Sequence, residues 1–270
     1  MTSSAEPPTT FITAQEATPT ALVTRSSVPA GLKYPEYKPY LRPDFFYSCA
    51  YCTMTESEAQ AIRFTIDHYE PRFGRPDLEN QYSNLMYACD ECNQRKGNRS
   101  PPETARNSGV RFFRPDQDFH HEHFEKSGIR LKPKSITGKF TIDAIDLNRL
   151  TLRRIREIRS RLTECDRFVA GGISALRTIH IDHLPAHIKA QAANSIRNAS
   201  RMGKMLADNI DLLLSDYARS PLIDSDPEAT ARTIERASEL KKLEALYPGS
   251  WRASSKQIQR PKRSKRTKKT

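Results

Sequence analysis

Four of the chain's five cysteines stand in two Cys-x-x-Cys pairs, Cys49/Cys52 and Cys89/Cys92. Two such knuckles supply what a zinc ion takes, four soft thiolates at tetrahedral angles. The gap from Cys52 to Cys89 is longer than that of the usual zinc ribbon. Inside it lies an Asp67-His68 step, and Asn93 directly follows the last cysteine. Asp67 is a hard oxygen donor suited to Mg²⁺ or Mn²⁺. His68 can take a proton from water near neutral pH. Asn93 adds a neutral amide oxygen. One divalent ion held between Asp67 and Asn93, with His68 beside it to generate hydroxide, is an arrangement for phosphodiester hydrolysis. The four cysteines are read as structural only.

The elements that must position these groups follow from local pattern. "RFTIDHYEP" reads as a strand closed by Pro71, and "RFGRPDLENQYS" as a loop. "NLMYACDECNQRKG" reads as a short helix with Leu85, Cys89, Cys92 and Lys96 near one stripe. Asn84 or Ser83 would cap its start, and Gly97 suits the position after its last turn. The zinc then clamps the outer ends of a strand–loop–helix unit too small to hold its shape alone. Neighbours on a flat strand point to opposite faces. For Asp67 and His68 to share a site, the strand end near Pro71 must twist or bulge.

The order Cys-x-x-Cys, Asp-His-x-x-Pro, Asn-Leu, Cys-x-x-Cys-Asn-x-x-Lys-Gly, spread over residues 49–97, resembles the zinc-clamped branch of the HNH endonuclease family. The resemblance implies a ββα-metal core, a structural zinc and a catalytic Mg²⁺ or Mn²⁺. It makes His68 the general base and Asp67 the acidic metal ligand. Asn84 matches the middle Asn, whose side chain pins the loop so that the base is aimed. Asn93 stands where the family has a His or Asn on the metal, an H-N-N variant of the motif. Arg95 and Lys96 are read either as contacts to nucleic-acid phosphates or as residues that solvate the helix.

Other histidines and aromatics take plainer readings. "FHHEHF" (119–124) is expected to be part of a half-exposed strand, in a hairpin turning at Ser127-Gly128. His180, His183 and His187 are expected to be satisfied or solvated. Cys165 is expected to be a small buried hydrophobe, and Tyr69, Tyr82 and Tyr87 core residues.

Hydrophobic residues make up 37% of the chain and charged residues 28%, a balance that leaves part of it as tail. Net charge is +12, which favours a polyanionic partner. Eight of the positive charges crowd into "KQIQRPKRSKRTKKT", residues 256–270. No apolar run approaches the ~20 residues of a membrane helix, and no secretory signal is evident. An odd cysteine count dominated by knuckles fits a reducing compartment. The chain is therefore expected in the cytoplasm, at the nucleoid in a prokaryote or in the nucleus in a eukaryote.

The fold class expected is α+β. A disordered segment (1–30) precedes the nuclease module with its β-hairpin extension (31–145). A helical half (146–250) and a basic disordered tail (251–270) follow. Helical spacing at 148–166, 184–217 and 226–246 supports the all-helical second half. The function expected is a metal-dependent endonuclease acting on nucleic acid, DNA first, with no membrane partner and an open oligomeric state. The rivals are a zinc-dependent nucleic-acid-binding module without catalysis and a helical interaction scaffold.

Overall fold

The computed structural model describes residues 23–59, 61–178, 185–217 and 226–253. The readings made for residues 1–22, for His180 and His183, and for the basic run 256–270 lie outside the described residues.

The fold begins earlier than composition suggests. Val23 is buried in the core. Arg25 Nη1 donates to the carbonyls of Tyr82 at 2.9 Å and Leu85 at 2.6 Å, and its Nη2 pairs with Asp116 at 2.9 Å. Residues 23–30 are therefore ordered at their start, which corrects the disordered reading for that stretch. Thr, Ser and Pro content describes a solvated segment, but one Val and one Arg find partners far along the chain.

A 3₁₀ turn at Tyr34–Tyr37 leads into α1 (Lys38–Asp44), whose Leu41 is fully buried. β1 (Phe64–His68) pairs antiparallel with β2 (Leu85–Cys89), from Phe64 opposite Cys89 to His68 opposite Leu85. α2 (Asp90–Lys96) starts where β2 ends and stops at Gly97, whose φ of +55° needs no Cβ. The single helix expected over 84–97 is thus a strand followed by a helix. Every residue of β2 is buried, so the run shows no alternation, and its apolar spacing fits a helical stripe equally well.

After α3 (Glu103–Asn107), the segment "HHEH" forms the short helix α4 (His120–His123), not the strand expected there. Its start is held by ring contacts of His120 with Phe113 and Phe124. β3 (Phe124–Ser127) and β4 (Arg130–Pro133) make the hairpin, turning at Gly128-Ile129, one residue later than expected. α5 (Ile136–Ile145) is capped by the Ser135 hydroxyl, which accepts from the Gly138 N–H at 3.0 Å. The mixed architecture, with two small antiparallel sheets and a helical second half, is as the pattern predicts.

That half consists of α6 (Leu150–Thr178), α7 (Ala186–Tyr217) and α8 (Ala229–Leu246). Leu152 and Ile155 of the α6 stripe are buried against the module, while Leu162 is exposed, so α6 runs out of the core after its first turns. Cys165 is half-buried, not buried as expected, because it lies on that outgoing part. His187 is exposed. α8 returns to the module: Lys139 Nζ pairs with Glu239 at 2.6 Å, and Arg236 Nε donates to the Asp143 carbonyl at 2.7 Å. Trp251 is buried beside Phe140, and the Ser100 N–H donates to its carbonyl at 2.9 Å. Residues 251–253 thus belong to the fold, which corrects the tail boundary. No helix among the described residues is long and apolar enough to cross a membrane.

Candidate active site and zinc centre

The zinc knuckles close on one another. All four Sγ atoms lie within 4.8 Å of one another, and Cys52 Sγ is 3.8 Å from Cys89 Sγ. A tetrahedral Zn–S bond of ~2.3 Å requires sulfurs about 3.8 Å apart, so the buried tetrad fits a zinc ion. The first knuckle is shaped by backbone. The Thr53 N–H donates to Cys49 O at 3.0 Å, the Cys49 N–H donates to Met54 O at 2.9 Å, and Thr53 takes a φ of +61°. A bond from the Ala50 N–H to Tyr87 O at 2.8 Å ties it to β2. The second knuckle is the corner at which β2 becomes α2. Among the described residues this is the one cluster of metal-binding side chains so arranged.

A residue outside both knuckles completes the centre. Arg149, just ahead of α6, is almost wholly buried; its Nη2 donates to Cys92 Sγ at 3.4 Å and its Nε lies 2.9 Å from Glu91. Four thiolates on Zn²⁺ leave two net negative charges, and a guanidinium against one sulfur offsets part of them. Sequence reasoning missed Arg149, because no local spacing ties it to the cysteines.

β1 sends Asp67 and His68 to opposite faces, in unbroken register with β2; the twist or bulge near Pro71 that a shared site requires is absent, so the strand itself does not bring these two side chains together. Thr65 and Asp67 face α2. Asn93 Nδ2 donates to Thr65 Oγ1 at 2.9 Å, and its amide oxygen accepts nothing among the described residues. One helical turn on, Lys96 is fully buried; its Nζ donates to Asp67 Oδ1 at 3.0 Å and to the His68 carbonyl at 2.7 Å. Tyr51, from inside the first knuckle, donates its hydroxyl to Asp67 Oδ2 at 2.5 Å. Burial first, and the Asp67 charge next, push the Tyr51 phenol well above its ordinary range, so it stays a donor.

His68 points to the other side, toward the β1–β2 loop. Its Nε2 is 3.0 Å from the Glu79 carbonyl, which can only accept, so Nε2 carries the proton and Nδ1 keeps its lone pair. The Tyr34 ring meets the imidazole edge-on at 4.9 Å. Burial lowers the His68 pKa below its ordinary value, against the opposing pull of the Glu79 carbonyl and Asp67. That burial favours the neutral imidazole.

Asn84 is buried and sits in a 3₁₀ turn before β2; it caps no helix. Its Oδ1 accepts from the Glu70 N–H at 2.8 Å, and its Nδ2 donates to the carbonyls of Glu70 at 3.1 Å and Leu78 at 3.2 Å. Two points of the loop that follows His68 are fixed by one amide. Arg95 is part-exposed and ion-paired with Glu91 at 3.1 Å and Asp146 at 3.5 Å. Lys96 is not a surface phosphate contact, since no part of it reaches solvent. Its i, i+4 relation to Cys92 was the signal that both belong to the inner face of α2.

The geometry is that of two short antiparallel strands and a helix stapled by four thiols, with a half-buried imidazole and a pinned loop. Residues 49–99 match the family described as HNH endonuclease, and that segment of the chain is an HNH endonuclease domain. The chain is 29% identical over 143 residues to Septu protein PtuA of Bacillus mycoides (strain KBAB4), covering 43% of this chain and 20% of the relative. It is 28% identical over 102 residues to Septu protein PtuB of Bacillus thuringiensis, covering 38% of this chain and 37% of the relative. The matches thus span about a fifth and somewhat over a third of these curated relatives. No solved structure matches the chain.

Proposed function

We propose that this protein is a metal-dependent endonuclease that hydrolyses phosphodiester bonds, in DNA first, at the β1–β2–α2 unit. The single observation that carries the reading is that the HNH match falls on the segment in which His68, its ring held by the Glu79 carbonyl, and a loop-pinning Asn84 occur together. The donor set also suits a hard divalent ion: the Asp67 carboxylate faces the seam into which the Asn93 side chain projects, and a cation, the Lys96 ammonium, already rests on Asp67. Asp67 and Asn93 would hold that ion. When bound it supplies positive charge to the phosphate and the departing 3′ oxygen.

The chain's own residues supply the rest. His68 Nδ1 accepts the proton of the attacking water, while the Glu79 carbonyl holds Nε2–H and with it the ring's tautomer. Asn84 keeps the loop carrying Glu79 in place through Leu78 and Glu70. Lys96, through the His68 carbonyl, fixes the end of β1. The basic balance of the chain draws in a polyanion. Plasmid nicking with and without Mg²⁺ tests the reading. Relaxation of supercoiled DNA that EDTA abolishes is expected.

A second reading has one observation in its favour. Both Asp67 oxygens already hold partners, as in a zinc-dependent nucleic-acid-binding module without catalysis. DNA binding without nicking at any Mg²⁺ or Mn²⁺ concentration would select it.

A further inference from the structure

The Lys96 ammonium stands against the one carboxylate of the strand–helix seam. We infer that Lys96 is a resident counter-ion that competes with the divalent ion for Asp67, so that the protein's demand for metal is set by how readily this lysine yields its place. The inference rests on the reading of Asp67 and Asn93 as the ion's ligands, and it adds the residue that opposes them.

The placement is what a competitor requires. Lys96 and Asn93 lie three residues apart on α2, so both project into the seam that Thr65 and Asp67 face. Lys96 Nζ is 3.0 Å from Asp67 Oδ1, within the distance at which a second cation on that carboxylate would feel it at close quarters. The pair is buried, with side-chain exposures of 0% for Lys96 and 4% for Asp67, so water screens the repulsion little. The ammonium is also tethered, by the His68 carbonyl at 2.7 Å and by the Phe112 ring face at 5.6 Å. Asp67 in turn is held from both zinc knuckles. Tyr51 comes from inside the first, and Lys96 from the helix that carries the second. The zinc centre thereby presents Asp67 with its counter-charge already in place.

The inference makes a prediction opposite in sign to that of a phosphate contact or a structural strut. Removing the positive charge should tighten divalent binding. Mn²⁺ binding to the zinc-loaded full chain, without nucleic acid, is read from loss of the free-ion electron paramagnetic resonance signal. Mn²⁺ suits oxygen ligands, so the thiolate site stays with zinc, and zinc content is measured alongside. Lys96→Met should lower the Mn²⁺ Kd at least tenfold. Lys96→Arg keeps the charge and should stay within about threefold of wild type. Lys96→Gln, which keeps a donor for the His68 carbonyl, replaces Lys96→Met if the latter does not fold and should tighten binding likewise. Adding Asn93→Ala to the neutral variant should reverse the gain. Should neutral variants bind Mn²⁺ no more tightly than wild type while Asn93→Ala still weakens binding, the competition is refuted and the ligand assignment stands. Should Asn93→Ala and Asp67→Asn leave Mn²⁺ affinity unchanged in both backgrounds, the ligand assignment fails and the inference with it.

Discussion

Asn84 is the most economical way to disturb the loop beside His68 without touching a zinc ligand or the base. Its amide accepts one hydrogen bond and donates two, to Glu70 and Leu78 at 2.8 to 3.2 Å, and the residue is 5% exposed. Each bond contributes about 0.5–1.5 kcal/mol net, and a buried partner left without one costs about 1–3 kcal/mol. Asn84→Ala should therefore destabilise by about 2–4 kcal/mol, with water partly rescuing the freed carbonyls. Asn84→Asp separates shape from hydrogen bonding. It keeps the acceptor for the Glu70 N–H but turns a carboxylate oxygen toward two carbonyls. That environment raises the carboxyl's folded-state pKa above its unfolded value of about 3.9. A raised folded pKa means stability that is present below the unfolded value and lost as pH rises through the folded one. The deficit of Asn84→Asp against wild type should thus be largest at neutral pH and shrink on acidification. Urea unfolding at pH 7 and pH 4.5 measures both. If Asn84→Asp matches wild type at pH 7, the amide does not pin the loop as described.

Three further outcomes follow from the site. Purified protein should hold about one zinc per chain by mass spectrometry of metals, and Cys89→Ala should lose zinc and cooperative melting together, because metal binding here is folding energy. Arg149→Met should release zinc to a chromogenic chelator several-fold faster than wild type, since it removes the donor 3.4 Å from Cys92 Sγ. The acid limb of kcat/KM should lie below pH 6.5, because burial lowers the His68 pKa and the neutral ring is the active form, lost only as pH falls through that lowered value.

What the sequence disclosed, and what it withheld, divides along physical lines. The cysteine knuckles, β1, the stop at Gly97 and the three long C-terminal helices are encoded locally, by ligand spacing, alternation and period. β2 was hidden because all five of its residues are buried, and pairing with β1, not its own pattern, makes it a strand. The helix at His120–His123 depends on ring packing against Phe113 and Phe124. The order of Val23 and Arg25, the return of α8 and the burial of Trp251 rest on contacts distant in sequence. At the site, His68 and Asn84 were legible as residue types in a motif. That Asp67 would be held by Tyr51 and Lys96, and that Arg149 would reach the thiols, follows only from the way the knuckles bring their neighbours together.

The central claim is that His68 activates water for phosphodiester cleavage, and single-turnover cleavage of plasmid DNA by His68→Ala tests it most directly. Nothing in the zinc tetrad or the Asp67 network depends on the imidazole, so zinc content, circular dichroism and DNA affinity should stay near wild type. The cleavage rate at saturating Mg²⁺ should fall by about 10²–10⁴-fold, the usual worth of a positioned general base. A zinc-loaded, folded His68→Ala protein that cuts at the wild-type rate would contradict the account.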